Sequence, residues 1–471
     1  MLRRLSLLCF FLLLPVSLVA QSGPEGERPQ NVILLIPDGF GPASSTMARD
    51  YLRWKNGTAT LALDGIQTGS VRTFAANSRV TDSAAGATAY ASGVKTDNGA
   101  IAVDTLEQPV ATLLEAAEQR GMATGLVATS RITHATPASF AAHVPDRWME
   151  NTIAAQMLTQ GIDVLLGGGR RHFLPDAADG RRDDGRNLID EATSNGTTYI
   201  SDRDGLVDAA DTPLLGLFSM SHMQYEIDRD PAVQPSLAEM TTKALDLVSQ
   251  DGDGYFLMVE GSRIDHAGHS NDAAAHLHDI LAFDDAVAAA IAHAESEGNT
   301  LVVVVSDHET GGMSLGRDGD YAWHPDVLDK VSASHGVLMD RLSDTLPEDP
   351  TDNRRAAVNA MQPVLAGHAG IESLRPREHV ALQDALGNRY RLEDALAEII
   401  AQRTRVGWTT GGHTAVDVKL FATGPGEKHF RGHLDNTDVG ARLADLLDFD
   451  LSALTSAIRT RSDEAATVGS R

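Results

Sequence analysis

Apolar residues fall into two recurring patterns along this chain. Short unbroken apolar runs at residues 31–36, 124–129, 163–166, 214–218, 255–260 and 301–305 have the length expected of strands buried on both faces. Between them, apolar residues recur at helical spacing over 106–120, 151–160, 237–249 and 272–296. Alternation of this kind builds an α/β fold with parallel strands and helices on both sides of the sheet. The pattern breaks at Met313. Residues 313–406 are polar, rich in Asp and Arg, and mostly helical in spacing, as at 391–403. A strand pattern returns at 416–422, and a helix at 437–447 closes the fold. The expected architecture is a three-layer α/β/α domain with a mostly parallel central sheet, formed by residues 31–312 and 407–461. An inserted, mainly helical cap spans 313–406. The Gly- and Asp-rich stretch 173–211 reads as loop, and 462–471 as a disordered tail.

The first residues follow another logic. Arg3 and Arg4 precede an apolar run from Leu5 to Ala20, broken by Pro15, with polar residues from Gln21. This is the layout of a secretory signal peptide, residues 1–20, followed by a flexible leader at 21–30. The expected location is outside the cytoplasm, periplasmic or secreted. Cys9, the one cysteine, lies inside that segment. The mature chain then has no thiol for catalysis, and any zinc must be held by His and carboxylates. No other stretch is long and apolar enough to span a bilayer. A net charge of −26 over 471 residues argues against nucleic acid or an anionic membrane as partner.

Ligands of open α/β sheets bind beyond the carboxyl ends of the strands, so the residues just past each run carry the chemistry. Asp38 follows the first run on a Gly-rich turn. His134 and Thr136 follow the second, with Arg147 further along the same connection. Glu260 ends another run, and Asp265 and His269 lie four residues apart beyond it. Asp307 and His308 follow 301–305, and His413 precedes 416–422. Singly, each has a structural explanation: a turn residue, a solvated arginine, a helix cap, a satisfied buried histidine. Jointly, Asp38, Thr136, Glu260, Asp265, His269, Asp307, His308 and His413 form an oxygen and nitrogen donor set sufficient for more than one divalent metal. Imidazole with carboxylate suits zinc, and an all-oxygen subset suits magnesium. Thr81, Asp82 and Ser83 open a helix of small residues. Alone, Ser83 reads as its N-cap; beside metal ligands, the same position suits phosphate binding and a stabilised alkoxide. Gly167-Gly168-Gly169 lacks the spacing of a dinucleotide or P-loop site, and Asp251–Gly254 lacks the further oxygens of a calcium loop.

Several long motifs resemble the alkaline phosphatase family. They are Thr81-Asp82-Ser83-Ala84-Ala85 with Ala87-Thr88-Ala89, Glu260-Gly261-Ser262-Arg263-Ile264-Asp265-His266, Asp307-His308, and His413-Thr414-Ala415-Val416-Asp417-Val418. The resemblance covers about 31–312 and 408–440 and implies phosphate monoester hydrolysis by a homodimer with two Zn²⁺ and one Mg²⁺. It implies Ser83 as nucleophile through a phosphoserine, and Arg147 as phosphate clamp. It implies Asp265, His269 and His413 around one zinc, with Asp38, Asp307 and His308 around the second. Asp38, Thr136 and Glu260 would hold magnesium. Asp82 is assigned to positioning Arg147. His134, which is Asp in some members, and His266, which replaces a Lys found in some, would tune magnesium affinity from behind the ligands. Pro37 stands where Gly is commoner and Lys419 where Pro is common. Residues 313–406 correspond to the family's variable crown.

Two other readings use the same residues: a superfamily relative acting on phosphodiesters or sulfate esters, or a non-catalytic metal- or phosphate-binding protein. Sulfatases need a different Cys or Ser signature, diesterases often use Thr as nucleophile, and an intact Ser83 with a full donor set disfavours the non-catalytic reading.

Overall fold

A computed structural model describes residues 28–57 and 59–469, with side chains through Arg461. The expected signal peptide, with Arg3, Arg4 and Cys9, lies outside the described residues. Strands β1 to β8 are Asn31–Ile36, Gln67–Arg72, Ala123–Arg131, Val164–Gly168, Thr198–Ile200, Leu214–Leu217, Tyr255–Glu260 and Thr300–Val305. Strands β9 to β14 are Glu309–Thr310, Ser314–Leu315, Val406–Gly407, His413–Thr414, Val418–Thr423 and Gly432–Asp435.

Ten of these form one sheet in the order β14-β2-β13-β8-β1-β7-β3-β4-β6-β5. Its strands run parallel except β13, which is antiparallel to both neighbours, β2 and β8. Alternate residues of the central strands enter two cores. Ile33, Leu35, Val302 and Val304 face one; Val32, Leu34, Ile36, Leu301, Val303 and Val305 face the other. The long helix Ala273–Glu297 and helix Leu237–Val248 cover the first face, and helices Leu113–Gln119, Ala135–Ala141 and Asn436–Leu447 the second. Both faces are buried, so the strands carry unbroken apolar runs. Among the described residues, no helix is long and apolar enough to cross a membrane.

Several expectations need correction. The helix expected from residue 106 begins at Leu113. Asp104 Oδ1 instead accepts from the N–H groups of Leu106 and Gln108 at 2.8 and 3.0 Å, closing a turn. Thr112 and Glu115 then form a capping box that starts the helix. The stretch 173–211 is not loop throughout: Asn187 and Asp202 cap short helices Leu188–Ser194 and Arg203–Asp208 around edge strand β5. Of the expected tail, residues 462–469 continue a helix, Leu451–Gly469, and 470–471 lie outside the described residues. Leu454 and Ile458, one turn apart, pack on Ala111 and Ala116. The antiparallel direction of β13 and the half-exposed strand β2 have no counterpart in the apolar pattern.

The inserted stretch leaves and returns at one place. β10 pairs antiparallel with β11, Ser314 with Gly407 and Leu315 with Val406. Between them lie helices including His335–Ser343, Arg354–His368, Pro376–Ala385 and Arg389–Thr404. Their buried residues Leu338, Leu365 and Leu396 continue the first core.

Helix Ser83–Ser92 is buried at every residue. Its small side chains permit unusually close packing on both sides. A Cβ at Gly86 would stand 3.1 Å from Asp307 Cβ. One at Gly440, on Asn436–Leu447, would stand 2.6 Å from the Tyr90 carbonyl oxygen and 2.8 Å from that of Ala89. Gly440 thus sets how near that helix approaches the serine-bearing one. Gly440→Ala is expected to cost about 1–3 kcal/mol by overpacking. A denaturant midpoint equal to that of the parent would contradict this close approach.

Candidate active site

The fold explains how the candidate residues converge. β13, β8, β1, β7 and β3 are consecutive in the sheet. Asp38 follows β1, His134 and Thr136 follow β3, Glu260 ends β7 with Asp265 beyond it, and Asp307 and His308 follow β8. Because β13 runs the opposite way, its start lies at this same edge, and His413 just before it joins the group. Short strands β12 and β9 pair His413 with Thr310 and fix this approach. Asp265 and His269 lie one turn apart on helix Arg263–His269.

Three clusters of donor atoms result. Asp265, His269 and His413 form one; Asp38, Asp307 and His308 the second; Asp38, Glu260 and His134 the third. In each, the candidate atoms lie within 4.8 Å of one another. Asp38 belongs to two. Thr136, expected beside Asp38 and Glu260, neighbours Glu260 and is fully buried. His134, expected behind the ligands, places a ring nitrogen in the third cluster itself. His266 stands against it, ring centroids 5.5 Å apart.

The hydrogen bonds turn candidate ligand atoms inward. His269 Nδ1 donates to the Gly411 carbonyl at 2.7 Å and His413 Nδ1 to the Thr81 carbonyl at 2.9 Å. With Nδ1 so committed, each ring turns its Nε2 inward. Burial disfavours charge on His269, but its hydrogen bond with Asp265 pushes it up to about 9, so a bound cation replaces that proton. The two Nε2 atoms lie 3.1 Å apart, and 3.4 and 3.5 Å from Asp265 oxygens. In the other clusters, both Asp38 oxygens, Asp307 Oδ2, Glu260 Oε1, Thr136 Oγ1 and His134 Nδ1 are buried without a hydrogen-bond partner. Buried polar atoms are rarely left unpaired. This many, nearly all acceptors and converging on a few points, fit cations.

Electrostatics agrees. Burial, then the neighbouring Asp307, Asp265 and Glu260, pushes the Asp38 carboxyl well above its ordinary range. Burial pushes Glu260 up to about 7, and burial with the charges of Asp265 and Glu260 pushes Asp307 up to about 8. Asp265 behaves oppositely. Burial disfavours its charge, yet its hydrogen bond with His269 and the charges of His269, His308 and His413 hold it well below the usual carboxylate range. Burial, then Arg147 and His266, holds His134 well below the usual imidazole range and therefore neutral.

Ser83 lies beside His308, whose ring stacks on His413 of the first cluster with centroids 3.5 Å apart. Asp82, not Ser83, is the N-cap: its Oδ1 accepts from Ala85 N–H at 3.0 Å, and Ser83 is the first helical residue. This corrects the reading of Ser83 as the cap. The Ser83 Oγ lies 3.3 Å from His308 Nε2. Asp82 Oδ2 accepts from Arg147 Nη1 at 2.9 Å and from Gly99 N–H at 3.0 Å. The other Arg147 amine lies 3.1 Å from His134 Nε2. Every candidate residue is thus in one region.

Other residues hold this geometry and were not foreseen. Thr310 Oγ1 donates to Asp265 Oδ1 at 2.5 Å and lies 3.3 Å from His308 Nδ1. Buried Glu309 accepts from Met313 N–H at 3.1 Å and from the Thr414 hydroxyl, tying together the segments around β9 and β12. His222 packs against His266 with centroids 4.3 Å apart and contacts Arg131. The polar run Glu309-Thr310 directly after the ligand pair was a usable signal for the first two; His222 sits in a loop without any.

The sequence matches the family model described as "Alkaline phosphatase" over residues 29–449. It is 40% identical to the repressible alkaline phosphatase of Saccharomyces cerevisiae, covering 92% of this chain and 84% of that protein. It is 38% identical to alkaline phosphatase 3 of Bacillus subtilis, covering 92% of each. The fold is similar to the crystal structure of Thermus thermophilus alkaline phosphatase, with TM-score 0.81 and 33% identity over 93% of this chain and 96% of that one.

The crowded carboxyl groups make a linkage prediction. Carboxyls with raised pKa values hold protons near neutral pH when no cation is bound, and a cation displaces them. Adding zinc and magnesium to chelator-treated protein at pH 7 should release protons, seen as buffer-dependent calorimetric heat, and raise the thermal midpoint. Binding without proton release would contradict this electrostatic picture.

Proposed function

This chain belongs to the alkaline phosphatase family and is a phosphatase, and we propose that it hydrolyses phosphate monoesters through a phosphoserine formed on Ser83. The observation that carries this reading is the Ser83 hydroxyl beside the second donor cluster, 3.3 Å from His308 Nε2, with the Arg147–Asp82 pair alongside.

Asp265, His269 and His413 would hold one zinc ion, and Asp38, Asp307 and His308 a second. Asp38, Thr136 and Glu260 would hold magnesium. His134 adds a nitrogen donor softer than magnesium prefers, so it lowers magnesium selectivity there, with His266 packed behind it. When bound, the ions supply positive charge that favours a serine alkoxide, a departing oxygen and hydroxide at neutral pH.

The protein's own groups do the rest. The Ser83 oxygen, its proton lost to solvent, attacks phosphorus as the ester P–O bond breaks; the leaving alkoxide takes up a proton and departs as an alcohol. Water then attacks phosphorus, the bond to Ser83 breaks, and inorganic phosphate and the serine hydroxyl are regenerated. Arg147 presents a planar fork to two phosphate oxygens, and Asp82 holds that fork in place. N–H groups in the first turn of helix Ser83–Ser92 favour the anion. Gly411 and Thr81 carbonyls keep His269 and His413 in the tautomer that binds a cation.

The Arg3-Arg4 and apolar N-terminal pattern supports export to the periplasm or the medium. Two further features are proposed on the family's precedent: assembly as a homodimer, and a variable cap formed by residues 313–406. Ser83→Ala should lower monoester turnover by about three orders of magnitude or more while zinc content stays at the parent level. Arg147→Ala should raise the inhibition constant for inorganic phosphate by roughly tenfold. Turnover unaffected by Ser83→Ala, or faster cleavage of a diester than of a monoester by the parent, would overturn the reading.

A further inference from the structure

Trp148 stands directly after the proposed phosphate clamp and is 69% exposed; Met149 beside it is 40% exposed. An exposed indole on a mobile loop would signify little, but this one sits on an anchored segment. Val144 bridges to Ile101, and Arg147 N–H donates to the Gly99 carbonyl at 2.8 Å. Trp148 N–H donates to Asp146 Oδ1 at 2.9 Å and Met149 N–H to the Asp146 carbonyl at 3.0 Å. Beyond it, Glu150 is buried and pairs with Arg131 at 2.6 Å. The indole is therefore held to solvent by a rigid backbone, with its centroid 5.6 Å from the Arg147 guanidinium carbon.

A phosphate seated on that guanidinium brings its ester group within reach of the indole. A large, flat, pre-positioned aromatic surface is suited to stacking on another flat ring, at little cost in side-chain ordering. We infer that Trp148 is a specificity-determining residue that stacks on a nucleobase or other aromatic ring carried by the leaving group, so that this phosphatase favours nucleotide-like monoesters over small aliphatic ones. The inference rests on the phosphomonoesterase reading above and adds a substrate class to it.

The test compares adenosine 5′-monophosphate with glycerol 3-phosphate, two esters of primary alcohols, on the full-length metal-loaded enzyme and its Trp148→Ala and Trp148→Phe variants. Trp148→Ala should lower kcat/KM for the nucleotide about tenfold more than for glycerol 3-phosphate, through KM rather than kcat, as expected for loss of one base–aromatic stack. Trp148→Phe should restore most of that preference. Inorganic phosphate inhibition should weaken far less than nucleotide binding. Equal losses on both esters, or a loss of phosphate inhibition as large as the loss for the nucleotide, would reduce Trp148 to a support for Arg147 and overturn the inference. So would dissociation of an oligomer by Trp148→Ala with both esters affected alike. If the parent hydrolyses neither ester, the phosphomonoesterase reading itself fails.

Discussion

Asp38, Glu260, Asp265 and Asp307 lie together at one edge of the sheet, each at most 3% exposed. Four buried carboxyl groups this close cannot all ionise without positive charge among them. Asp265 is eased by its histidines, but neither oxygen of Asp38 accepts a hydrogen bond. Arg147, whose charge acts on Asp38, is occupied with Asp82 and His134. This unmet need for cations is the constraint around which the rest is arranged. It explains why imidazole Nδ1 groups are bonded to backbone carbonyls and why Thr310 is spent on Asp265. Such a cluster is a cost to the protein alone and an asset only with metal bound.

The serine-bearing helix answers to the same constraint. To bring Ser83 beside His308, its backbone must pass close to Asp307, and Gly86 permits that approach. On the far side, Gly440 lets the closing helix press in equally near. With Asp82 taking the capping duty, the Ser83 side chain is left free of the helix's own hydrogen bonds. Asp82 does two further jobs, accepting from Gly99 and from Arg147. The cap Asp82, the proposed clamp Arg147 and the proposed nucleophile Ser83 are thereby fixed relative to one another.

Much of this was legible in the amino-acid order, for physical reasons. Strands buried on both faces must be apolar throughout, so β1, β7 and β8 announce themselves, and the polar residues that follow them fall at the ligand-bearing edge. What stayed hidden has reasons too. An apolar run has no direction, so the reversal of β13 was not visible, although it is what delivers His413. β2, Gln67-Thr-Gly-Ser-Val-Arg, is half-exposed and carries no apolar run. The carbonyls of Thr81 and Gly411 leave no trace in residue identity. His134 was expected behind the ligands, yet as the residue before helix Ala135–Ala141 it places a ring nitrogen among the candidate donors.

Passage of phosphate through Ser83 would leave a covalent trace on the enzyme. Rapid mixing of the metal-loaded enzyme with a phosphate monoester, acid quenching within one turnover and peptide mass spectrometry tests it most directly. The expected result is a phosphorylated peptide with the modification on Ser83. Single-turnover product formation with no covalent phosphate at any quench time, or phosphate on another residue, would contradict it.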